Sequence, residues 1–198
     1  MSHTLNDVDP IDLLKNVSNP LLESGLFKSR MVLVTGEIND KVARGTTERL
    51  LAMAGESDDP ITVMISSPGG HVESGDMIHD MIKYVKPRVR TLGTGWVASA
   101  GALIFVAAEK EDRFCLPNTR FLLHEPRGGV GGSATEIDIQ AREVLRMRER
   151  LNKIFAATTG QALEKIESDT HRDFWMSAEE AVNYGVVGKI ISSAAELA

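Results

Sequence analysis

A serine and a histidine in this sequence stand at positions where side chains can do chemistry. Ser99 lies between a predicted strand and a predicted buried helix, where free amides and the helix dipole favour negative charge. A serine there could attack a carbonyl while nearby amides hold the oxyanion. His124 ends the apolar stretch Phe-Leu-Leu, and a neutral imidazole there could accept and return the serine proton. Each residue could instead be structural, Ser99 as a helix N-cap and His124 as a packed histidine.

A carboxylate that fixes the imidazole tautomer would complete such a site. Spacing alone leaves four aspartates open: Asp112, Asp138, Asp169 and Asp173. Asp138 fits least, because it should lie on the polar face of a long helix. A zinc site is not indicated, since the His-Glu-x-x-His pattern that His124 begins would need a histidine at Gly128.

Two glycine-containing segments could serve a ligand. Ser-Pro-Gly-Gly at 67–70 follows one predicted strand and precedes a helix, so its glycines could admit a substrate backbone and offer amide donors, or simply form a tight turn. Gly93-x-Gly95-x-x-Ala98 resembles a dinucleotide-binding fingerprint, but the acidic residues that follow it precede the next strand instead of ending it. Nucleotide binding is therefore the weaker alternative.

Composition limits the class of protein. The chain has 198 residues, 42% of them hydrophobic and 25% charged, which is typical of one globular domain and excludes a disordered chain. A net charge of −6 argues against nucleic acid as a partner. The chain has a single cysteine, Cys115, so it cannot form an internal disulfide. We expect this cysteine in the core. Without an apolar run long enough for a membrane span or a signal-peptide pattern, we expect a cytoplasmic protein.

Strands and helices alternate from residue 30 onward, which predicts an α/β fold with a largely parallel sheet. Residues 1–30 are expected to form an N-terminal arm or a short helical piece, and residues 31–198 a single domain. The predicted strands are 31–34, 61–65, 89–92, 113–115, 120–123 and 186–191, and the predicted helices 40–54, 72–85, 99–108 and a short one capped by Ser177 and closed at 184–185.

A long helix is predicted from the capping box Ser133-Ala-Thr-Glu136 to Gly160. Its apolar residues form one stripe: Ile137, Ala141, Val144, Leu145, Leu151 and Phe155. About 26 residues span roughly 39 Å, close to the ~40 Å diameter of a globule of this size. The helix must therefore cross the whole body or protrude from it, and a protruding stripe would need a partner.

Together these segments resemble the proteolytic subunit of the Clp protease, the ClpP family of serine peptidases, from about residue 31 to 191. The resemblance rests first on three motifs: Ser-Pro-Gly-Gly at 67–70, Gly-Trp-Val-Ala-Ser-Ala-Gly at 95–101 and His-x-Pro at 124–126. It continues through the glycine-rich stretch 128–132 and the long helix. It ends with Arg-Asp at 172–173, followed by Met-Ser-Ala-Glu-Glu-Ala at 176–181. It implies a crotonase-like α/β fold, a repeated β-β-α spiral with a protruding handle helix at about 134–159.

The resemblance also implies a serine endopeptidase that hydrolyses unfolded polypeptides through an acyl-enzyme, with no metal or organic cofactor. Ser99 would be the nucleophile, His124 the base and Asp173 the orienting carboxylate. The amides of Gly70 and Ala100 would form the oxyanion hole. The peptide would pair with the main chain of Gly69, Gly128, Gly129 and Val130.

The family assembles as two stacked heptameric rings that enclose a chamber, so the resemblance implies a homo-oligomer. Contacts between subunits would involve Glu136, His171 and Arg172. His171 replaces an acidic residue that often pairs across the rings, so ring stacking here should depend on pH. Glu125 replaces the usual glutamine, and if it lies close to His124 it should shift activity to higher pH.

An AAA+ unfoldase is the partner that the resemblance implies, and its docking is an open expectation here. Aromatic residues that commonly line the docking cleft are missing at Thr62 and Met64, although Tyr84 is present. Residues 1–30 also do not match the family's gating N-terminus. Two alternatives from other classes stay open besides nucleotide binding: a weakly active or structural ring subunit of a mixed complex, and a crotonase-type acyl-CoA enzyme, which would not need the serine, histidine and aspartate.

Overall fold

The computed structural model describes residues 20–129 and 131–197 of the chain. Its helices are α1 Pro20–Lys28, α2 Asp40–Glu56, α3 Val72–Tyr84, α4 Ala100–Phe105, α5 Ala134–Thr159, α6 Leu163–Thr170 and α7 Ala178–Tyr184. Its strands are β1 Met31–Thr35, β2 Ile61–Ser67, β3 Val89–Ala98, β4 Arg113–Cys115, β5 Arg120–Leu123, β6 Phe174–Met176 and β7 Lys189–Ile190. Short 3₁₀ helices form at Lys110–Asp112 and Ala194–Leu197. This alternation confirms the predicted α/β class.

One sheet carries all of these strands. The order β1-β2-β3-β4-β7 is parallel throughout, and β5 and β6 branch from β3. The first part of β3 pairs with β4 through residues 91–93, and its last part pairs with β5 through residues 96–98. β6 then adds to β5 in the antiparallel direction. The C-terminal end of β3 therefore pairs with β5, which in turn pairs with β6.

The core lies between the sheet and helices α2, α3 and α4, and it extends to α5, α6 and α7 through Leu151, Ile166 and Ala181. Buried and half-buried residues alternate along β2, as expected for a strand with one covered face. All six residues of α4 are buried, which confirms the apolar helix, although it is shorter than the predicted 99–108. Phe105 at its end packs edge-on against Phe121 of β5, with ring centroids 5.1 Å apart. This contact fixes α4 against the strand that leads to His124.

The third strand continues well beyond its predicted end at residue 92. We expected Gly93 and Gly95 to end it, but both lie inside β3. A Cβ added at Gly93 would meet neighbouring side chains at 3.1–3.3 Å, so the glycine permits close packing within the sheet. Next to it, the pairing of β2 with β3 shifts register between Ile65 and Ser67, which absorbs the extra residues as a bulge. The glycines belong to a strand and not to a phosphate-binding turn, which removes the basis for nucleotide binding.

The last predicted strand, 186–191, is limited to β7. Val186 and Val187 are fully buried, but their amides donate to the carbonyl of Ala181 in α7 at 2.9 and 3.1 Å. These amides close the helix end and so cannot join the sheet. α6 and β6 form in a segment for which the sequence pattern predicted no element.

Helix α5 is the predicted long helix and begins at the predicted capping box of Ser133 and Glu136. Leu151 and Phe155 near its C-terminal end are buried, whereas residues 134–143 are all exposed. The helix therefore protrudes from the body of the chain. Three large apolar side chains on this part are exposed, by 40% at Ile137, 55% at Ile139 and 53% at Leu145.

Helix α1 forms inside the predicted N-terminal arm and confirms the short helical piece. Its Glu23 binds Arg49 of α2 through a hydrogen-bonded ion pair of 2.8 Å. Residues 1–19 of the arm lie outside the described residues, and the division into an arm and a single domain stays a prediction.

Candidate active site

The sheet brings the three predicted catalytic side chains to one edge. Ser99 directly follows β3, and its amide donates to a carbonyl of β5 at 2.9 Å. β5 runs parallel to β3 and ends just before His124, whereas β6 runs antiparallel to β5 and begins just after Asp173. The last residue of β5 pairs with the first residue of β6. His124 and Asp173 therefore face each other one position further on.

Ser99 has a backbone conformation that non-glycine residues rarely adopt. Its φ is 55° and its ψ is −121°, at the turn from β3 into α4. Its carbonyl accepts hydrogen bonds from Ala102 and Leu103. Its hydroxyl does not cap the helix and forms no hydrogen bond with any residue that the structure describes. The helix-cap alternative is therefore wrong, and the hydroxyl is free at a sharp strand-to-helix turn of the kind that exposes nucleophiles.

Glycines on both sides give this turn its space. A Cβ at Gly69 would lie 2.6 Å from Cβ of Ser99, and a Cβ at Gly101 would lie 3.2 Å from Cβ of Ser67. The amide of Gly69 donates to Oγ of Ser67 at 3.0 Å, and its carbonyl accepts from the amide of Ile38 at 2.8 Å. The missing side chain of Gly69 therefore leaves space for Ser99. The amide and the carbonyl of Gly69 both have hydrogen-bond partners within the chain. Pairing of Gly69 with a substrate stays a prediction.

His124 and Asp173 are hydrogen-bonded, with 2.9 Å between Nδ1 and Oδ1. An ionised carboxylate only accepts, so we assign the proton to Nδ1, which leaves Nε2 as an acceptor. The hydrogen bond from His124 outweighs partial desolvation and, together with the charge of Arg127, lowers the pKa of Asp173. The carboxylate thus stays ionised and holds the imidazole in one tautomer.

The other three aspartates that spacing left open are engaged elsewhere. Asp112 accepts from Arg88 at 2.6 Å, Asp138 pairs with Arg142 at 2.7 Å, and Asp169 accepts from Lys165 and Tyr184 at 2.7 Å each. Asp173 is the one of the four that bonds to His124. Contacts that sequence spacing could not reveal thus separate the candidates.

Ser99 and His124 line the same small pocket. It encloses about 20 Å³, room for roughly one water molecule. Its walls are otherwise apolar: Val72, Ala100, Leu103, Leu123, Pro126, Leu151 and Phe155. The serine and the imidazole are neighbours here, although no hydrogen bond links them in the described part of the chain. Such bonds often tighten only when a substrate binds.

The two amides predicted to form the oxyanion hole are unpaired in the part of the chain that the structure describes. Neither Gly70 nor Ala100 donates its amide to an acceptor within residues 20–129 and 131–197. Gly70 bridges to Ile38, but the hydrogen bonds of that bridge use the amides of Ile38 and His71. A Cβ at Gly70 would lie 2.2 Å from the carbonyl oxygen of Ile38, so a glycine is needed there. Ala100 is the first residue of α4, where amides lack partners within the helix.

Known proteins of one family match this chain along most of its length. A family model described as Clp protease matches residues 17–194. The chain belongs to the Clp protease family. It is 56% identical over 196 residues to the ATP-dependent Clp protease proteolytic subunit 3 of Rhizobium johnstonii, covering 98% of this chain and 100% of that protein. It is 61% identical over 187 residues to the proteolytic subunit 2 of Gluconobacter oxydans, covering 92% of this chain and 84% of that protein.

Solved structures of the Clp family share the fold. ClpP1 from Listeria monocytogenes is 51% identical and superposes with a TM-score of 0.82, covering 89% of this chain and 99% of that chain. A point mutant of the same Listeria protein is 52% identical, gives a TM-score of 0.84 and has the same coverage of both chains. These likenesses confirm the ClpP fold, with its protruding helix, that the sequence resemblance implied.

Glu125, a departure from the Clp family pattern, is turned away from the pocket. Its carboxylate lies 3.4 Å from Arg148 of α5 and 3.7 Å from His171, and it makes no contact with His124 among the described residues. The condition for a shift of activity to higher pH, a carboxylate next to the base, is therefore not met.

The predicted subunit-contact residues lie outside the pocket. The carboxylate of Glu136 accepts from the amide of Ser133 at 2.7 Å, and this bond lowers the pKa of Glu136. The side chain of His171 is 63% exposed, and Arg172 is exposed with no ion-pair partner in the part of the chain that the structure describes. Their contacts with other subunits, and ring stacking that depends on pH, stay predictions.

The predicted peptide-pairing residues after His124 are only partly described. Gly128 and Gly129 are exposed, with open space around them and no hydrogen bond within the described residues. Val130 lies outside the described residues. Pairing of these residues with a peptide stays a prediction.

Arg127 is the site residue that the sequence pattern did not reveal. Its Nη2 lies 2.5 Å from Oδ1 of Asp173. The one available signal was its position, three residues after His124 in the segment that follows β5.

Two other kinds of chemistry find no support in the described residues. Cys115 is fully buried in β4, and burial raises the pKa of its thiol to about 12, so it is an inert core residue as predicted. No group of three or more His, Cys, Asp or Glu side chains in residues 20–129 and 131–197 is placed to hold a metal ion.

No helix in these segments is long and apolar enough to cross a membrane.

Proposed function

We propose that this chain is the proteolytic subunit of a Clp-type protease, a serine endopeptidase that cleaves unfolded polypeptides. The observation that carries the proposal is the surroundings of Ser99. Its hydroxyl, unbonded among the described residues, shares a pocket with His124, whose Nδ1 is held by Asp173. The amides of Ala100, the next residue, and of Gly70, which follows the glycine packed against Ser99, are unpaired in the described residues. This set contains each group that acyl transfer from a peptide bond requires.

The proposed reaction follows from these positions. Oγ of Ser99 attacks the peptide carbonyl carbon while Nε2 of His124 takes the hydroxyl proton. Asp173 stabilises the imidazolium, and the two amides hold the oxyanion. The imidazolium then gives its proton to the leaving amine, which departs and leaves an ester on Ser99. Water repeats the attack with the same base and releases the acid product.

The walls of the pocket and the exposed glycines suit an extended peptide. The apolar lining next to Ser99 favours an uncharged side chain on the residue whose carbonyl is attacked. The main chain of Gly128 and Gly129 is exposed and unpaired among the described residues, so that it can add a peptide strand through backbone hydrogen bonds.

Assembly and partners complete the proposal. The exposed apolar residues of α5 support an oligomer, and we propose two stacked heptameric rings that enclose the active sites in a cytoplasmic chamber. Relatives named ATP-dependent support an AAA+ unfoldase as the partner that uses ATP. Tyr84 is 77% exposed at the end of α3 and offers an aromatic contact for it, although Thr62 and Met64 are half-buried.

The experiment that tests the function replaces Ser99 with alanine. Purified wild-type protein should cleave a peptide with an apolar residue before the scissile bond and should react with a fluorophosphonate probe. Ser99→Ala should lose both reactions and keep the oligomer. Ser24→Ala, at an exposed position in α1, is the matched control and should keep both.

The result also separates the alternatives. Undiminished cleavage by Ser99→Ala would overturn the assignment. A wild-type protein that assembles but neither cleaves nor labels would instead favour the structural ring subunit of a mixed complex.

A further inference from the structure

Arg127 and His124 bind the same oxygen of Asp173. Nη2 of Arg127 lies 2.5 Å from Oδ1, and Nδ1 of His124 lies 2.9 Å from the same atom. The side chains of Arg127 and Asp173 are 56% and 45% exposed. An ion pair this exposed contributes little to folding stability, so its main effect falls on the carboxylate that holds the imidazole.

We propose that Arg127 is a positioning residue that fixes the carboxylate of Asp173 and, through it, the orientation of the imidazole of His124. This inference deepens the proposed function and rests on it.

The effect of Arg127 is geometric. A carboxylate held by one donor can rotate and exchange its oxygens, whereas two donors that converge on Oδ1 restrict that rotation. The imidazole then keeps one orientation through its Nδ1 bond. Losing this restraint lowers the turnover rate, and it leaves the apolar wall that binds the substrate unchanged.

Other charged groups near the pair do not take over this role. Glu125, on the same segment, is directed to Arg148 of α5 and to His171. Arg172 precedes Asp173 in the chain but makes no ion pair with it among the described residues. The remaining residues of the pocket, from α3, α4, β5 and α5, are uncharged. Arg127 is thus the one permanent cation that contacts the pair within the described chain.

The test measures kcat and KM separately for peptide cleavage by the assembled protein. Arg127→Gln should lower kcat severalfold with little change in KM, because the serine and the apolar wall of the pocket are unchanged. Arg127→Lys keeps a charged donor for Asp173 and should recover most of kcat. Arg44→Gln removes an arginine of α2 that is 79% exposed and paired with Glu48, and it should match the wild type.

Each outcome decides the inference. A kcat of Arg127→Gln equal to that of the wild type would overturn it, as would an equal loss of kcat in Arg127→Lys. Arg127→Met, also uncharged, repeats the measurement if glutamine disturbs assembly. Salt at 0.5 M should narrow the difference in kcat between the wild type and Arg127→Gln, because it screens the exposed ion pair. Loss of cleavage and of Ser99 labelling in the wild type would contradict the proposed function itself, which the Arg127 variants do not test.

Discussion

At the scale of the residue, the backbone of Ser99 is strained while its hydroxyl has no structural task. A non-glycine residue at such dihedral angles costs about 1–3 kcal/mol, and a serine at a helix start usually recovers energy by capping. Ser99 does not cap α4, so the surrounding structure must hold it in place. Asp173 likewise has no role in capping a helix or closing a turn. Its carboxylate accepts hydrogen bonds from His124 and Arg127.

Replacing Asp173 with asparagine tests its role as the orienting group. The amide keeps the shape but can donate to Nδ1, which favours the wrong tautomer of His124, so kcat/KM should fall by about a thousandfold or more. Steady-state peptide cleavage measures the loss, and the thermal midpoint should change little. Asp58→Asn, at an exposed position outside the site, should leave both unchanged. Activity of Asp173→Asn within tenfold of the wild type would remove Asp173 from the mechanism.

At the scale of the element, the site depends on where strands β3 and β5 end and where strand β6 begins. The parallel pair β3 and β5 ends next to Ser99 and His124, and the antiparallel strand β6 starts after Asp173. Gly69, in the turn after β2, completes the arrangement by leaving space for Ser99. The catalytic set is therefore a property of strand register, and small displacements of one strand end should disturb it.

Gly69→Ala should abolish activity while the chain still folds. Its added Cβ would lie 2.6 Å from Cβ of Ser99 at a φ of +97°, so the serine turn must move. Gly36→Ala is the matched control, because it has a φ of +76° with no atom within 4 Å of the added Cβ. Both variants should lose about 1–2 kcal/mol of stability from the backbone strain. Probe labelling of Ser99 and thermal unfolding separate the two: labelling that survives in Gly69→Ala would contradict this account.

Capping residues and apolar patterns in the sequence predicted most helices and strands. The exact strand ends depend on pairing between distant segments, which a local pattern does not contain. The long helix was correct at both ends because Ser133, Glu136 and Gly160 cap it within a few residues. The predicted end of β3 at residue 92 is wrong because Gly93 lies inside the strand, where its neighbours in the sheet need the space that a glycine leaves.

The same limit applies to the candidate site. Ser99 and His124 could be found from their positions at element ends, but spacing could not choose Asp173 among four aspartates. The family resemblance chose it, and the hydrogen bond to His124 agrees. Arg127 could not be found at all, because its contact with Asp173 joins residues 46 positions apart.

At the scale of the whole molecule, part of helix α5 does not pack against the rest of the chain. Leu151 and Phe155 anchor the end of α5, while Ile137 and Leu145 of the same stripe are exposed. Apolar residues on a protruding helix are costly in water unless a partner covers them. The interlocking rings of the Clp family give this stripe a partner in the proposed assembly.

Ile137→Gln combined with Leu145→Gln should weaken that assembly without unfolding the protomer. Glutamine keeps the helix propensity, so the change removes apolar contact area and little else. Solution mass measured across protein concentrations should show smaller species than the wild type, while far-ultraviolet circular dichroism stays the same. Arg146→Gln places the same side chain on the opposite face of the helix and should leave the mass unchanged. If the double variant keeps the wild-type mass, the stripe does not hold the oligomer together. If Arg146→Gln dissociates equally, the contact is not confined to the stripe and a different face of α5 must be buried in the assembly.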